Sequence, residues 1–112
     1  MSQLTTHILD TTLGKPAKGV VIILFEKTNG TWNELVRGET NNDGRIPDLL
    51  SNKITLPLGY YKMKFETKAY FNQLSIEAFY PWVEVIFEIT TEEHYHIPLL
   101  LSPFGYSTYR GS

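Results

Sequence analysis

The sequence predicts an all-β fold, a two-sheet sandwich of about eight short strands with one short helix. Three observations predict it. Apolar and polar residues alternate over short runs, tight-turn signals recur between those runs, and only one stretch repeats its apolar residues at helical spacing. With 112 residues the chain fits one domain, 1–112, long enough to bury a core without a metal or disulfides.

Leu4 to Leu9 reads as a strand with Thr5, His7 and Leu9 on one face and Leu4, Thr6 and Ile8 on the other. Gly14-Lys15-Pro16 marks a loop, and the β-branched, apolar Val20 to Phe25 has the composition of a central strand. Asn29-Gly30 turns it into a hairpin with Trp32 to Arg37. Asn41-Asn42-Asp43-Gly44 is a second tight turn that delivers Arg45, and Gly59 to Glu66 alternates as a further strand. Lys68 to Ala78 is the helical segment, with Phe71, Leu74 and Ala78 at helical spacing; Pro81 then breaks the chain before a strand over Val83 to Ile89. His94 to Leu101 and Phe104 to Arg110 are the last two strands, joined through Ser102-Pro103. Pro98 cannot donate a ladder hydrogen bond, which predicts an edge position or a bulge near it.

Composition excludes several classes. Hydrophobic residues at 42% and charged residues at 20% describe a folded soluble domain. A net charge of -2 with scattered lysines offers no basic stripe for nucleic acid. The absence of cysteine removes thiol catalysis, disulfides and thiolate metal sites. No apolar run approaches the roughly 20 residues of a membrane span, and Met1 to His7 has no basic, then apolar, leader pattern, so the expected location is cytoplasmic. The sequon Asn29-Gly30-Thr31 accordingly reads as a turn.

Three histidines and a turn arginine remain. His94 and His96 share a strand face with Pro98 and Leu100, opposite the apolar Tyr95, Ile97, Leu99 and Leu101, and His7 also faces outward. Any one of them alone reads more readily as a surface side chain without a task. Together they suit general acid–base chemistry, with Arg45 as a fork for a planar anion. A His-x-His pair plus His7 also has the makings of a three-histidine zinc site. The last residues, Gly105 to Ser112, keep two tyrosines and an arginine, as though docked rather than frayed.

Longer motifs narrow the choice. His94-Tyr95-His96-Ile97-Pro98-Leu99-Leu100-Leu101-Ser102-Pro103, with the ending Tyr109-Arg110-Gly111-Ser112, resembles the C-terminal signature of the 5-hydroxyisourate hydrolases. Leu4-Thr5-Thr6-His7-Ile8-Leu9-Asp10 with Gly14-Lys15-Pro16-Ala17, and Thr40-Asn41-Asn42-Asp43-Gly44-Arg45, resemble that family's N-terminal and central motifs. The resemblance implies a transthyretin-like sandwich assembled as a homotetramer, a dimer of dimers whose cleft encloses the outer histidine face. It implies hydrolysis of the small molecule 5-hydroxyisourate to 2-oxo-4-hydroxy-4-carboxy-5-ureidoimidazoline in urate degradation, with no cofactor and no metal. It implies His7, Arg45 and His96 as catalytic residues and Ser112, Tyr109 and Arg110 as substrate contacts. His94 lies outside the family's catalytic set. The competing class is a transthyretin-like carrier of a small ligand, which has a lysine and a threonine at the positions matching His7 and His96 and lacks the Tyr-Arg-Gly-Ser ending.

Overall fold

A computed structural model describes residues 2–112. Two four-stranded sheets enclose one core. The first runs in the order β2 (Lys15–Pro16), β1 (Leu4–Asp10), β7 (Tyr95–Ser102), β8 (Gly105–Thr108). The second runs β4 (Thr31–Glu39), β3 (Val21–Thr28), β5 (Gly59–Phe65), β6 (Val83–Ile89). Every pairing is antiparallel except that of β1 with β7, which brings segments some ninety positions apart into parallel register, Leu4 opposite Tyr95 and Asp10 opposite Leu101. The alternation on these strands decides which sides meet. Leu4 and Ile8 of β1, Ile22 and Leu24 of β3, and Leu99 of β7 are all fully buried between the sheets, each contributing about 1.5–3 kcal/mol of hydrophobic stabilisation. Among the described residues no helix is long and apolar enough to cross a membrane.

The first hairpin forms where its turn chemistry placed it. Asn29 (φ 53) and Gly30 (φ 78) both take the left-handed conformation between the paired Thr28 and Thr31, matching a twist-compatible two-residue loop. Four expectations need correction. Lys15–Pro16 is not merely loop but a two-residue strand on β1. The helix, α1, covers Thr67–Gln73 only; Leu74 is exposed, and Ala78 is buried from an irregular segment. It stops there because Ser75 turns left-handed (φ 58) while its amide bonds to Asn72 O and the Ile76 amide to Phe71 O, a Schellman ending in which a serine takes the place usually held by glycine.

Pro98 is the third correction. It is buried in a strand flanked on both sides, by β1 and β8, not at an edge. The sheet accommodates it by a gap rather than a bulge. Leu99 pairs with Thr108 and His96 with Gly111, so one uninterrupted register sets Pro98 opposite Tyr109, yet β8 ends at Thr108. The missing proline N–H removes a bond that would continue the ladder, and the Pro98 carbonyl is satisfied by the Thr108 hydroxyl, which donates to it at 2.7 Å. The predicted strand over Phe104 to Arg110 therefore closes early, and the chain rejoins β7 only at Gly111.

Candidate active site

The candidate site lies on the outer face of the β1–β7 pair. Thr5 sits opposite His96 and His7 opposite Pro98 in the parallel register. Thr5, His7, His94 and His96 are half-buried, while the alternate residues Leu4, Thr6 and Ile8 go to the core. All three histidines therefore occupy the face the alternation assigned to them.

Arg45 reaches this face through its turn. Asn41 Oδ1 accepts the amides of Asp43 (2.9 Å) and Arg45 (3.2 Å), and the Asn41 amide donates to Arg45 O at 2.8 Å. The turn is docked on β1 by a bond from the Ile8 amide to Gly44 O at 3.0 Å. Gly44 has φ +72, and a Cβ there would stand 2.5 Å from Ile8 O, so only glycine allows this approach. The consequence is that Arg45, though far from β1 in sequence, comes beside His7.

The electrostatics follow from this crowding. Burial lowers the His7 pKa below its ordinary value and the Arg45 charge lowers it further, against a hydrogen bond to the Asp43 backbone and the Asp43 charge. Burial likewise lowers His96, followed by the charges of Arg45 and His94, with a hydrogen bond at Thr5 opposing. Desolvation and a nearby cation both disfavour the imidazolium, so the two rings are neutral near pH 7. Arg45 itself is exposed and, among the described residues, makes no ion pair, unlike Arg37 with Glu34 and Arg110 with Glu93. Two neutral bases beside an unmatched guanidinium can bind a planar anion, deprotonate a water and return a proton to a leaving nitrogen.

One polar group was not anticipated. The Thr5 hydroxyl lies 2.8 Å from His96 Nδ1 and 2.9 Å from His94 Nε2, and the two rings are nearly parallel with centroids 6.4 Å apart. Thr5 shares its strand face with His7, but its partners become visible only once β1 and β7 are known to pair. Among the described residues, no three of His, Cys, Asp and Glu gather as a metal-holding group.

The final residues divide. Gly111 donates its amide to His96 O at 2.8 Å and packs so closely on the imidazole that a Cβ would sit 2.6 Å from His96 Cδ2. Ser112 follows, exposed, beside that ring's strand. Arg110 goes elsewhere: its guanidinium bonds Glu93 at 2.6 Å and lies 4.3 Å over the Tyr95 ring. Arg110 and Tyr109 border a cavity of about 280 Å³ on the core side of β7, also lined by Val85, Phe87, Tyr95 and Ile97. The structure thus gathers His7, Arg45, His96 and the backbone of Gly111, and it does not bring Tyr109 or Arg110 to them.

A family model described as the HIUase/Transthyretin family matches residues 4–111. The chain belongs to that family. It is 49% identical to the 5-hydroxyisourate hydrolase of Mus musculus, over 99% of this chain and 96% of that protein. It is 48% identical to the enzyme of the same name from Salmonella typhi, over 97% and 80%. Among solved structures, Klebsiella pneumoniae 5-hydroxyisourate hydrolase superposes with a TM-score of 0.85 at 39% identity, covering 100% of this chain and 94% of that one. Transthyretin from Sparus aurata superposes with a TM-score of 0.93 at 35% identity, covering 99% and 97%. The HIUase/Transthyretin sandwich is therefore common to proteins named for catalysis and proteins named as transthyretin, and the backbone does not separate them. Function has to be argued from side chains.

Proposed function

We propose that this chain is a 5-hydroxyisourate hydrolase that opens the substrate's cyclic amide with water. The observation that carries the reading is the pairing of two pKa-lowered histidines with an unmatched Arg45 on one sheet face. Relatives named 5-hydroxyisourate hydrolase from bacteria and mouse support the same conclusion. His7 and His96 position the water and take its proton; the resulting hydroxide adds to the amide carbonyl carbon. Arg45 stabilises the oxyanion of the tetrahedral intermediate. The C–N bond then breaks, the proton passes to the departing ring nitrogen, and the carboxylic acid formed on 2-oxo-4-hydroxy-4-carboxy-5-ureidoimidazoline releases its remaining proton to solvent as it ionises. Ser112, held near His96 by Gly111, contacts the substrate. Arg110 serves the site by anchoring the tail to Glu93 and Tyr95.

The whole chain acts as one domain, assembled as a homotetramer, a dimer of dimers. Ile86, Phe104, Tyr106 and Tyr109 are exposed, and covering them is what association would achieve. In that assembly the shallow histidine face becomes an enclosed cleft, and Tyr109 becomes one of its walls. The deciding experiment is the ultraviolet time course of freshly generated 5-hydroxyisourate. The expected result is decay well above the spontaneous rate and proportional to protein concentration. Decay at the spontaneous rate, together with saturable binding of an apolar ligand, would make this a carrier instead. Light scattering at working concentration tests the tetramer.

A further inference from the structure

Thr5 carries one hydroxyl proton and stands within hydrogen-bond distance of two imidazole nitrogens, His96 Nδ1 and His94 Nε2. A hydroxyl donates once and accepts from the other side. The two rings are therefore tied: when one presents N–H to Thr5, the other receives the Thr5 proton. Two arrangements satisfy the Thr5 hydroxyl and both nitrogens that face it. In the first, His96 Nδ1–H donates to Thr5 Oγ1, Thr5 donates to His94 Nε2, and His96 Nε2 is left bare. In the second the direction reverses and His96 Nε2 carries the proton. Nε2 makes no hydrogen bond among the described residues, while Gly111 covers the ring at Cδ2. The charged and titratable groups facing His96 are His7 from β1, Arg45 from the turn and His94 on its own strand, beside a hydrogen bond to the Thr5 backbone, and none of the three side chains takes Nε2.

We infer that His94, acting through Thr5, is a positioning residue that holds His96 with Nδ1 protonated and Nε2 free to accept the proton of the attacking water, and that it receives this proton in turn. The inference rests on the hydrolase reading for its catalytic consequence but not for its tautomer. The balance of the step is simple. Water gives a proton to His96 Nε2 as its oxygen bonds to the carbonyl carbon. His96 passes the Nδ1 proton to Thr5 Oγ1, and Thr5 passes its own to His94 Nε2, leaving His94 as the imidazolium. His96 ends neutral and protonated at Nε2, where it can donate to the departing nitrogen; reversal of the relay then restores both rings. A histidine whose outer nitrogen is fixed by a second group is a common device for holding one tautomer. Here the second group is a hydroxyl shared with another histidine.

Nitrogen-15 spectra of the histidine rings in the substrate-free protein, recorded at pH 8, read the tautomer directly. The expected pattern in the wild type is His96 protonated at Nδ1. Thr5→Val removes the hydroxyl at nearly constant volume, and His94→Phe leaves Thr5 free to donate to His96; both should move the His96 proton to Nε2, and Thr5→Ser should restore it. In kinetics, Thr5→Val and His94→Phe should each lower kcat by about tenfold or more, the range seen when a histidine loses its orienting partner, with KM changed little and Thr5→Ser near wild type. A wild type already protonated at Nε2 overturns the inference, as does either variant with an unchanged tautomer. If the wild-type tautomer is as expected and 5-hydroxyisourate still decays at its spontaneous rate, the hydrolase reading fails with the relay, and the tautomer assignment stands.

Discussion

The two sheets present outer faces with the same alternation and opposite electrostatic character. On the second sheet, Lys62 lies 3.5 Å from Glu84 and stacks 4.9 Å from the Phe25 ring and 4.8 Å from that of Trp32, while Lys64 pairs with Glu66 at 3.1 Å. Each of these cations is matched within the chain. On the first sheet, Arg45 has no anionic partner among the described residues, and the two histidines beside it are pushed toward the neutral form. A face whose charges answer one another has no need of a ligand. A face that gathers a cation and suppresses the charge of its neighbours is the one our proposal gives to an anionic substrate.

The comparison breaks most sharply at the histidines. His96→Asn and His7→Asn should each lower turnover by about 10²-fold or more with the far-ultraviolet dichroism unchanged. A folded His96→Asn protein with wild-type turnover would falsify the assignment of catalysis to this face. Gly111→Ala should come close behind, because its Cβ meets His96 Cδ2 at 2.6 Å and must displace either ring or tail; the kinetic loss should exceed any change in the urea midpoint. Arg45→Lys is the next step down, roughly tenfold in kcat/KM, since an ammonium cannot reproduce a two-pronged contact with an oxyanion; parity with wild type would reduce Arg45 to a solvated turn residue.

The acid limb of the pH profile sharpens the contrast without mutation. Both histidines titrate below 6.5 in the folded chain, so kcat/KM should be flat through neutral pH and fall only below that value. Stability follows the same sign. The unfolded chain takes up these protons first as pH falls, so the contribution is fully present above about pH 6.5 and is lost as pH drops through the lowered folded values. Denaturation curves at pH 7.5 and 5.5 would show it, and a midpoint higher at the acid end would contradict it. The smallest effect belongs to the other sheet. Lys62→Met should cost no more than about 1 kcal/mol and leave turnover unchanged.

Much of this was legible in the residues. The turns at Asn29-Gly30 and Asn41–Gly44, the outward placement of His7 and His96, and the strand over Val83–Ile89 all follow from local rules, and the structure agrees with them. What escaped was set by partners distant in sequence or by exceptions to a propensity. Leu74 and Ala78 kept helical spacing, but Ser75 had already ended the helix in a conformation serine seldom adopts. Pro98 read as an edge residue because its gap is answered by Thr108, which the strand sequence alone does not reveal. Thr5 looked like one more β-branched residue until the parallel register set it opposite His96. The resemblance implies Arg110 as a substrate contact, and within one chain its guanidinium is set on Glu93 and over the Tyr95 ring.

The single parallel pairing also has a bearing on how the protein acquires its activity. Thr5 and His96 are 91 positions apart, so their meeting closes nearly the whole chain into one loop, whereas the second sheet is built from closer antiparallel neighbours. Loop-closure entropy delays such contacts until other interactions help to offset it. Refolding should therefore restore the fluorescence of Trp32 and Trp82, both set against lysines of the second sheet, before it restores turnover, and turnover should return with the slowest phase. Cutting the chain between β5 and β6 would leave neither fragment with a working site, since each would hold one half of the β1–β7 seam.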